Sequence, residues 1–180
     1  GIIFKNKNKF YKTEKSKRIT NPNDVPSPYL SGVFDKFVDE NKDIGFHAPI
    51  ETNRGCPFKC TYCDWGGLTH QKMKMFDITR VKSEIDWCVD KAISGVILTD
   101  SNLGMFKRDL MIVKHLVKKY NQTGFPTYLH TAGFSKTPIT KNWVNPIQQE
   151  FYNMKGKPWA RSHVALQTNS EESLKLIKRK

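Results

Sequence analysis

Long apolar runs are missing from this sequence: nothing in its 180 residues approaches the roughly 20 consecutive apolar residues that a helical membrane span needs. Nothing at its start reads as a signal peptide. Cysteine is scarce, four in all, and three of the four are crowded at Cys56, Cys60 and Cys63. That crowding argues against a disulfide scaffold and for a reducing compartment, so the cytoplasm is the expected location. Acidic residues are also few, 17 against 30 Lys and Arg, which leaves a net charge of +13. Such a charge suggests nucleic acid, but its distribution does not. Residues 1–18 carry Lys5, Lys7, Lys9, Lys12, Lys15, Lys17 and Arg18 against Glu14 alone, and elsewhere acidic residues are interleaved. With no recognition motif, a Lys-rich solvated surface is the expected reading, and neither nucleic acid nor a membrane is the expected partner. No repeat is evident.

What is present divides into two parts. In residues 1–43, "GIIFKNKNKFYKT" reads as two short strands joined by an Asn/Lys turn, a hairpin. Pro22, Pro26 and Pro28 then hold the chain extended, as a linker or inter-domain wrap rather than a core. From Ile44 to Lys180 strands and helices alternate. "IGFHAPIET" predicts a strand with Ile44, Phe46, Ala48 and Ile50 on one face and Pro49 tolerated at its end. "DITRVKSEIDWCVDKAIS" predicts a helix with Ile78, Val81, Ile85, Cys88 and Ala92 as its apolar stripe and Asp77 as its N-cap. "GVILTD" reads as a strand buried on both faces. "KRDLMIVKHLVKKY" predicts a helix, and "PTYLHTA" a third strand. A helix from about Thr140 to Met154, with Pro146 breaking or beginning it, leads to a fourth strand, "SHVALQT". "SEESLKLIKRK" opens a further helix capped by Ser170. Strand–helix alternation predicts an α/β fold with a parallel sheet covered by helices; barrel or open sheet is not decided by the pattern. The chain begins on Gly1 and closes in what reads as mid-helix, so a fragment of a longer protein is expected.

The chemistry gathers in "ETNRGCPFKCTYCDWGG", directly after the first strand of that series, where C-x3-C-x2-C places three thiols in eight residues. In parallel α/β architectures, loops at the C-terminal strand ends collect functional groups. A structural zinc site needs a fourth protein ligand. Cys88 lies on a helical apolar stripe and reads as a buried core thiol, whereas His70 lies near enough to complete a Cys3His zinc site. An iron–sulfur cluster held by three thiolates needs no fourth ligand: one iron stays open for a substrate or cofactor. Both metals remain candidates on spacing alone, iron–sulfur ahead.

"CPFKCTYC" resembles the CxxxCxΦC signature of the radical S-adenosylmethionine (SAM) enzymes, with Tyr62 at the aromatic position. "VPSPYLSGVFD", "LTDSNLGMFKRD" and "VALQTNSEESLKLIKRK" are similar to blocks of the subgroup whose members carry a cobalamin-binding domain upstream, so the resemblance covers most of the chain. It implies a partial (βα) barrel of the radical SAM, TIM-like type, about four βα units of six, preceded by the hairpin and linker. It implies an enzyme with a [4Fe-4S] cluster on Cys56, Cys60 and Cys63, whose open iron chelates SAM. Reductive cleavage then gives a 5′-deoxyadenosyl radical, with methyl transfer a frequent outcome in the cobalamin-associated subgroup. An electron donor of flavodoxin or ferredoxin type is implied too. No Asp-x-His-x-x-Gly motif is present, so cobalamin would come through a missing upstream domain. A barrel with two units missing is also a candidate for one that holds a cluster and turns nothing over by itself.

By the resemblance Tyr62 packs near the adenine, and Gly66 and Gly67 let the backbone approach the methionine moiety, unless they are turn glycines. Asp100, Ser101 and Asn102 end the second strand and suit hydrogen bonds to the cofactor's ammonium or ribose; a helix-capping turn is the alternative. Gln167 and Thr168 end the fourth strand in the same way, and His130 ends the third. Trp65 and Arg54 are expected to shield and pack the cysteine loop. The rival from another class is a zinc-stabilised basic nucleic-acid-binding module without catalysis. The substrate is not legible.

Overall fold

The computed structural model describes residues 1–15, 17, 19–63, 73–135, 143–156, 159–163 and 167–178. The expected hairpin is present: β1 (Ile3–Asn6) pairs antiparallel with β2 (Lys9–Lys12). Lys7 and Asn8 turn it with φ of 43° and 63°, the left-handed pair that matches the twist of a two-residue hairpin.

The Pro-rich stretch is not an extended linker. Pro22–Asp24 forms a 3-10 turn, and α1 follows at Asp35–Glu40. Tyr29 and Val38 belong to the hydrophobic core, and the Tyr29 hydroxyl donates to Pro49 O at 2.7 Å. Trp87 Nε1 donates to Asp35 Oδ1 at 2.8 Å and Lys91 pairs with Asp39 at 2.7 Å, so α1 is fastened to the helix that follows the cysteine loop. Proline restricts local φ but does not decide what a neighbouring tyrosine packs against.

The central sheet is parallel throughout, in the order β3 (His47–Ile50), β6 (Gly95–Leu98), β7 (Tyr128–Thr131) and β8 (Trp159–Ser162). Each new strand lies beside its predecessor, the order of a singly wound α/β chain. β3 is an edge, which explains why Pro49 is tolerated inside it. Ala48, Ile50, Val96, Leu98 and Leu129 point to one face and are buried there. That face is covered by α2 (Ile78–Asp90) and α3 (Lys107–Thr123), which bring Val81, Ile85, Ile112, Val113 and Leu116 into the same core. α4 (Val144–Tyr152) packs on α3, with Pro146 in its first turn, where proline has no helical hydrogen bond to lose. α5 (Glu171–Leu176) begins at Ser170, whose side chain accepts from Ser173 N.

The opposite face carries His47, Pro49, Tyr128 and His130. His47 and Tyr128 stack with ring centroids 5.0 Å apart across Gly95, their common partner in register. A Cβ at Gly95 would stand 2.6 Å from the His47 ring, so only glycine leaves room for the stack as it is.

Three expectations shift. Ala92 lies beyond α2 with φ of 51°, and Ile93 takes the buried place instead. Ile44 precedes β3 and is exposed. β8 lies earlier than "SHVALQT", so Gln167 and Thr168 do not end it; Gln167 is exposed, with φ of 58°. The part of the predicted third helix at 140–142 lies outside the described residues.

Candidate functional site

The cysteine loop leaves β3 at its C-terminal end. It is closed at its base by a short antiparallel ladder, β4 (Asn53–Arg54) with β5 (Lys74–Met75). Gly55 turns the chain out of that ladder with φ of 111°, a conformation L side chains rarely adopt, and so presents Cys56 at once. Cys60 is buried, Cys56 and Cys63 are partly exposed, and all three thiols are unpaired. Cys63 N donates to Cys60 O at 3.2 Å, and Thr61 N donates to Ile177 O at 3.1 Å, which ties the loop to the end of α5. Tyr62 is half-exposed beside them. Trp65, Gly66, Gly67 and His70 lie outside the described residues.

The polar trio after β6 reaches this loop with all three side chains. Asp100 Oδ1 accepts from Thr52 N at 3.0 Å, Thr52 Oγ1 at 3.1 Å and Asn53 N at 2.7 Å. Ser101 Oγ donates to Gly55 O at 2.9 Å. Asn102 Nδ2 donates to Ser101 Oγ at 3.0 Å and to Cys56 Sγ at 3.4 Å. Asp100 and Asn102 are almost wholly buried, so the trio is part of the loop's foundation rather than an open strand end or a helix-capping turn. Capping of α3 falls to Asp109, whose Oδ2 accepts from Gly104 N at 2.9 Å and Phe106 N at 3.1 Å. Burial pushes the Asp100 carboxyl up to about 7, against the pull of the Asn53 N–H and with the Asp109 carboxylate adding to the rise. Burial raises Asp109 as well. Among the described residues, Asp100 Oδ2 and Asn102 Oδ1 have no hydrogen-bond partner.

Two neighbours complete the foundation. Arg108, from α3, donates to Thr52 O at 3.1 Å and Phe76 O at 2.6 Å, holding both sides of the loop's neck. Arg54 pairs with Glu51 and lies over the Phe76 ring, 5.7 Å from its centroid, which is loop packing as expected. Arg108 is not among the residues the sequence singles out, and no local pattern marks it: its partners are 56 and 32 residues away. His130 lies on the face of the sheet opposite the core and contacts His163, Nε2 to Nδ1 at 3.0 Å. Cys88 is a core thiol, 1% exposed and pushed by burial up to about 12.

In its donor chemistry the loop fits an iron–sulfur cluster: three unpaired thiols, one receiving an amide N–H, beside an unpartnered buried amide oxygen. Among the described residues no group of three or more Cys, His, Asp or Glu converges to hold a metal. A cavity of about 490 Å³ lies elsewhere, between the N-terminal segment, β3 and α2, lined by Tyr29, Phe37, Phe46, Phe76 and Trp87 but by none of the three loop cysteines.

A singly ordered parallel sheet with a thiol-bearing loop on its first strand's C-terminal end defines an α/β protein whose unpaired thiols gather at a strand end. No family model matches the chain. It is 37% identical over 128 residues to the 2-(S-pantetheinyl)-carbapenam-3-carboxylate methyltransferase of Streptantibioticus cattleyicolor, covering 67% of this chain and 19% of that protein. It is 36% identical over 137 residues to the cobalamin-dependent radical SAM methyltransferase TokK of Streptomyces tokunonensis, covering 72% of this chain and 20% of that protein. The fold is similar to that of the radical SAM methyltransferase TsrM of Kitasatospora setae, solved with tryptophan substrate and the SAM analogue aza-SAM. The TM-score is 0.54 at 17% identity, over 72% of this chain and 24% of that one. The chain belongs to the radical SAM superfamily, and its sequence is similar to the cobalamin-dependent methyltransferases within it. It spans about a fifth of the length of these curated relatives.

Proposed function

We propose that the chain is the first part of a radical SAM catalytic barrel. In this reading residues 44–180 are its opening βα units, and residues 1–43 join it to an upstream cobalamin-binding domain. Sequential parallel strand order supports a barrel rather than a doubly wound sheet. Cys56, Cys60 and Cys63 would hold a [4Fe-4S] cluster. The chemistry such a cluster supplies is one electron to the sulfonium of SAM, enough to break its C–S bond and leave a 5′-deoxyadenosyl radical. In the longer protein the outcome is methyl transfer to carbon, with cobalamin as partner cofactor and a flavodoxin- or ferredoxin-like protein as electron donor. The observation that carries this reading is the unpaired three-thiol loop, closed at its neck by β4 and β5 and anchored on the end of the adjacent strand.

The chain's own residues hold and orient. Asp100, Ser101 and Arg108 fix the neck of the loop, so that Cys56 leaves the sheet in a set direction. Asn102 Oδ1, buried without a partner among the described residues, is an acceptor suited to the cofactor's ammonium group. Tyr62 offers a half-exposed ring to the adenine. Gly66 and Gln167 remain proposed cofactor contacts on the strength of the resemblance alone. Anaerobic reconstitution with iron and sulfide tests the reading. Equal uptake of iron and acid-labile sulfide, lost on replacing any one of the three cysteines, is expected; one tightly bound zinc in their place contradicts it.

A further inference from the structure

The sequence leaves open whether Asn102 donates or accepts toward SAM, and its geometry assigns the donor elsewhere. Ser101 Oγ spends its one hydrogen on Gly55 O at 2.9 Å. Toward Asn102 it can therefore only accept, so the group 3.0 Å away must be the amide nitrogen. That orientation points the second amide hydrogen at Cys56 Sγ, 3.4 Å away. Both amide hydrogens are thereby used, and only the oxygen is left to face a cofactor.

The platform beneath the amide leaves it little freedom. Asn102 is fully buried. Leu103 N, next in the chain, donates to Gly133 O at 3.0 Å, and Thr99 N donates to Ile50 O at 2.9 Å, so both flanking strands hold the turn. A Cβ at Gly133 would stand 3.2 Å from Ser101 O, so the chain just beyond β7 packs closely against the trio.

We infer that Asn102 is a positioning and tuning residue for the first cysteine: through its N–H···S hydrogen bond to Cys56 it raises the reduction potential of the cluster, and Ser101 is the residue that orients it. The inference rests on the cluster reading above. A donor on a ligating sulfur stabilises negative charge there, and that charge grows when the cluster takes an electron. The bond therefore favours the reduced form. A purely structural Asn102 would change stability and leave the potential alone.

The test is an EPR-monitored redox titration of the reconstituted 180-residue chain, with iron and sulfide content measured in parallel. Asn102→Leu nearly keeps the volume, removes the donor and adds no charge; its midpoint is expected at clearly more negative potential. Ser101→Ala frees the amide to rotate and is expected to shift the same way by less. Midpoints of both variants equal to wild type, at full cluster content, overturn the inference while leaving the cluster reading intact. If Asn102→Leu loses its cluster, the Ser101→Ala midpoint decides. A wild-type chain that takes up no iron and sulfide overturns the cluster reading, and the inference with it.

Discussion

Asp100 Oδ1 lies 2.7 Å from the backbone N–H of Asn53, 47 residues earlier in the chain. The same oxygen takes the N–H of Thr52, so one buried carboxylate oxygen on the end of β6 holds the two residues from which the cysteine loop departs. Backbone donors at a buried strand end need a partner, and a side chain from the adjacent strand supplies it.

This carboxyl makes stability depend on pH in a defined direction. Folding raises its pKa from 3.8 to about 7, chiefly by burial. A group raised on folding favours the native state in its protonated form. Its contribution is full below the unfolded value and lost as pH rises through the folded one. An Asp100→Asn variant keeps a side-chain oxygen for both N–H groups and stays neutral at every pH. Denaturant titrations at about pH 5 and about pH 8 are expected to show the wild type losing stability relative to the variant between the two. Parallel curves would show that Asp100 does not titrate there.

The four cysteines separate into two kinds. Ala in place of Cys56, Cys60 or Cys63 is expected to abolish iron and sulfide uptake with little change in the folded chain's circular dichroism. Cys88→Ala is expected to retain uptake and lose about 1 kcal/mol of stability through the small core void it leaves. Metal analysis after desalting separates these outcomes.

Gly95 between His47 and Tyr128 offers a steric test. Gly95→Ala forces a Cβ against the His47 ring and is expected to cost about 1 kcal/mol, as overpacking does. Most of that cost is expected to vanish in a His47→Ala background, because the clashing ring is then gone. A double-mutant cycle by urea denaturation reads the coupling.

Tyr29 tests whether the segment before the sheet belongs to its core. Tyr29→Phe removes the hydrogen bond to Pro49 O and is expected to cost about 1 kcal/mol. Tyr29→Ala also strips the ring from its place 5.0 Å from the Trp87 ring and is expected to cost about 3–5 kcal/mol. Costs near zero for both would make the segment the detachable linker that its prolines suggest.

Local pattern made much of this architecture legible. The Val81, Ile85, Cys88 stripe and the Asp77 cap predict α2, the run at Gly95–Leu98 predicts a central strand, and the Lys/Asn turn predicts the hairpin. The cysteine spacing points to the loop because ligand sets are written locally. What stays hidden depends on distant partners. Arg108 reads as an ordinary first-turn helix residue until the fold brings Thr52 and Phe76 to it. Tyr29 sits among prolines that signal extension, and its burial is decided by α2. Asn102 is legible as a polar strand end, but its donor direction follows from Ser101 and Gly55, which no sequence pattern records.

The most direct test of the account is EPR of the anaerobically reconstituted, reduced chain with and without S-adenosylmethionine. The expected result is the signal of a reduced [4Fe-4S] cluster that changes when the sulfonium compound is added, as a cluster held by only three thiolates would allow. A zinc-loaded protein with no such signal would contradict it.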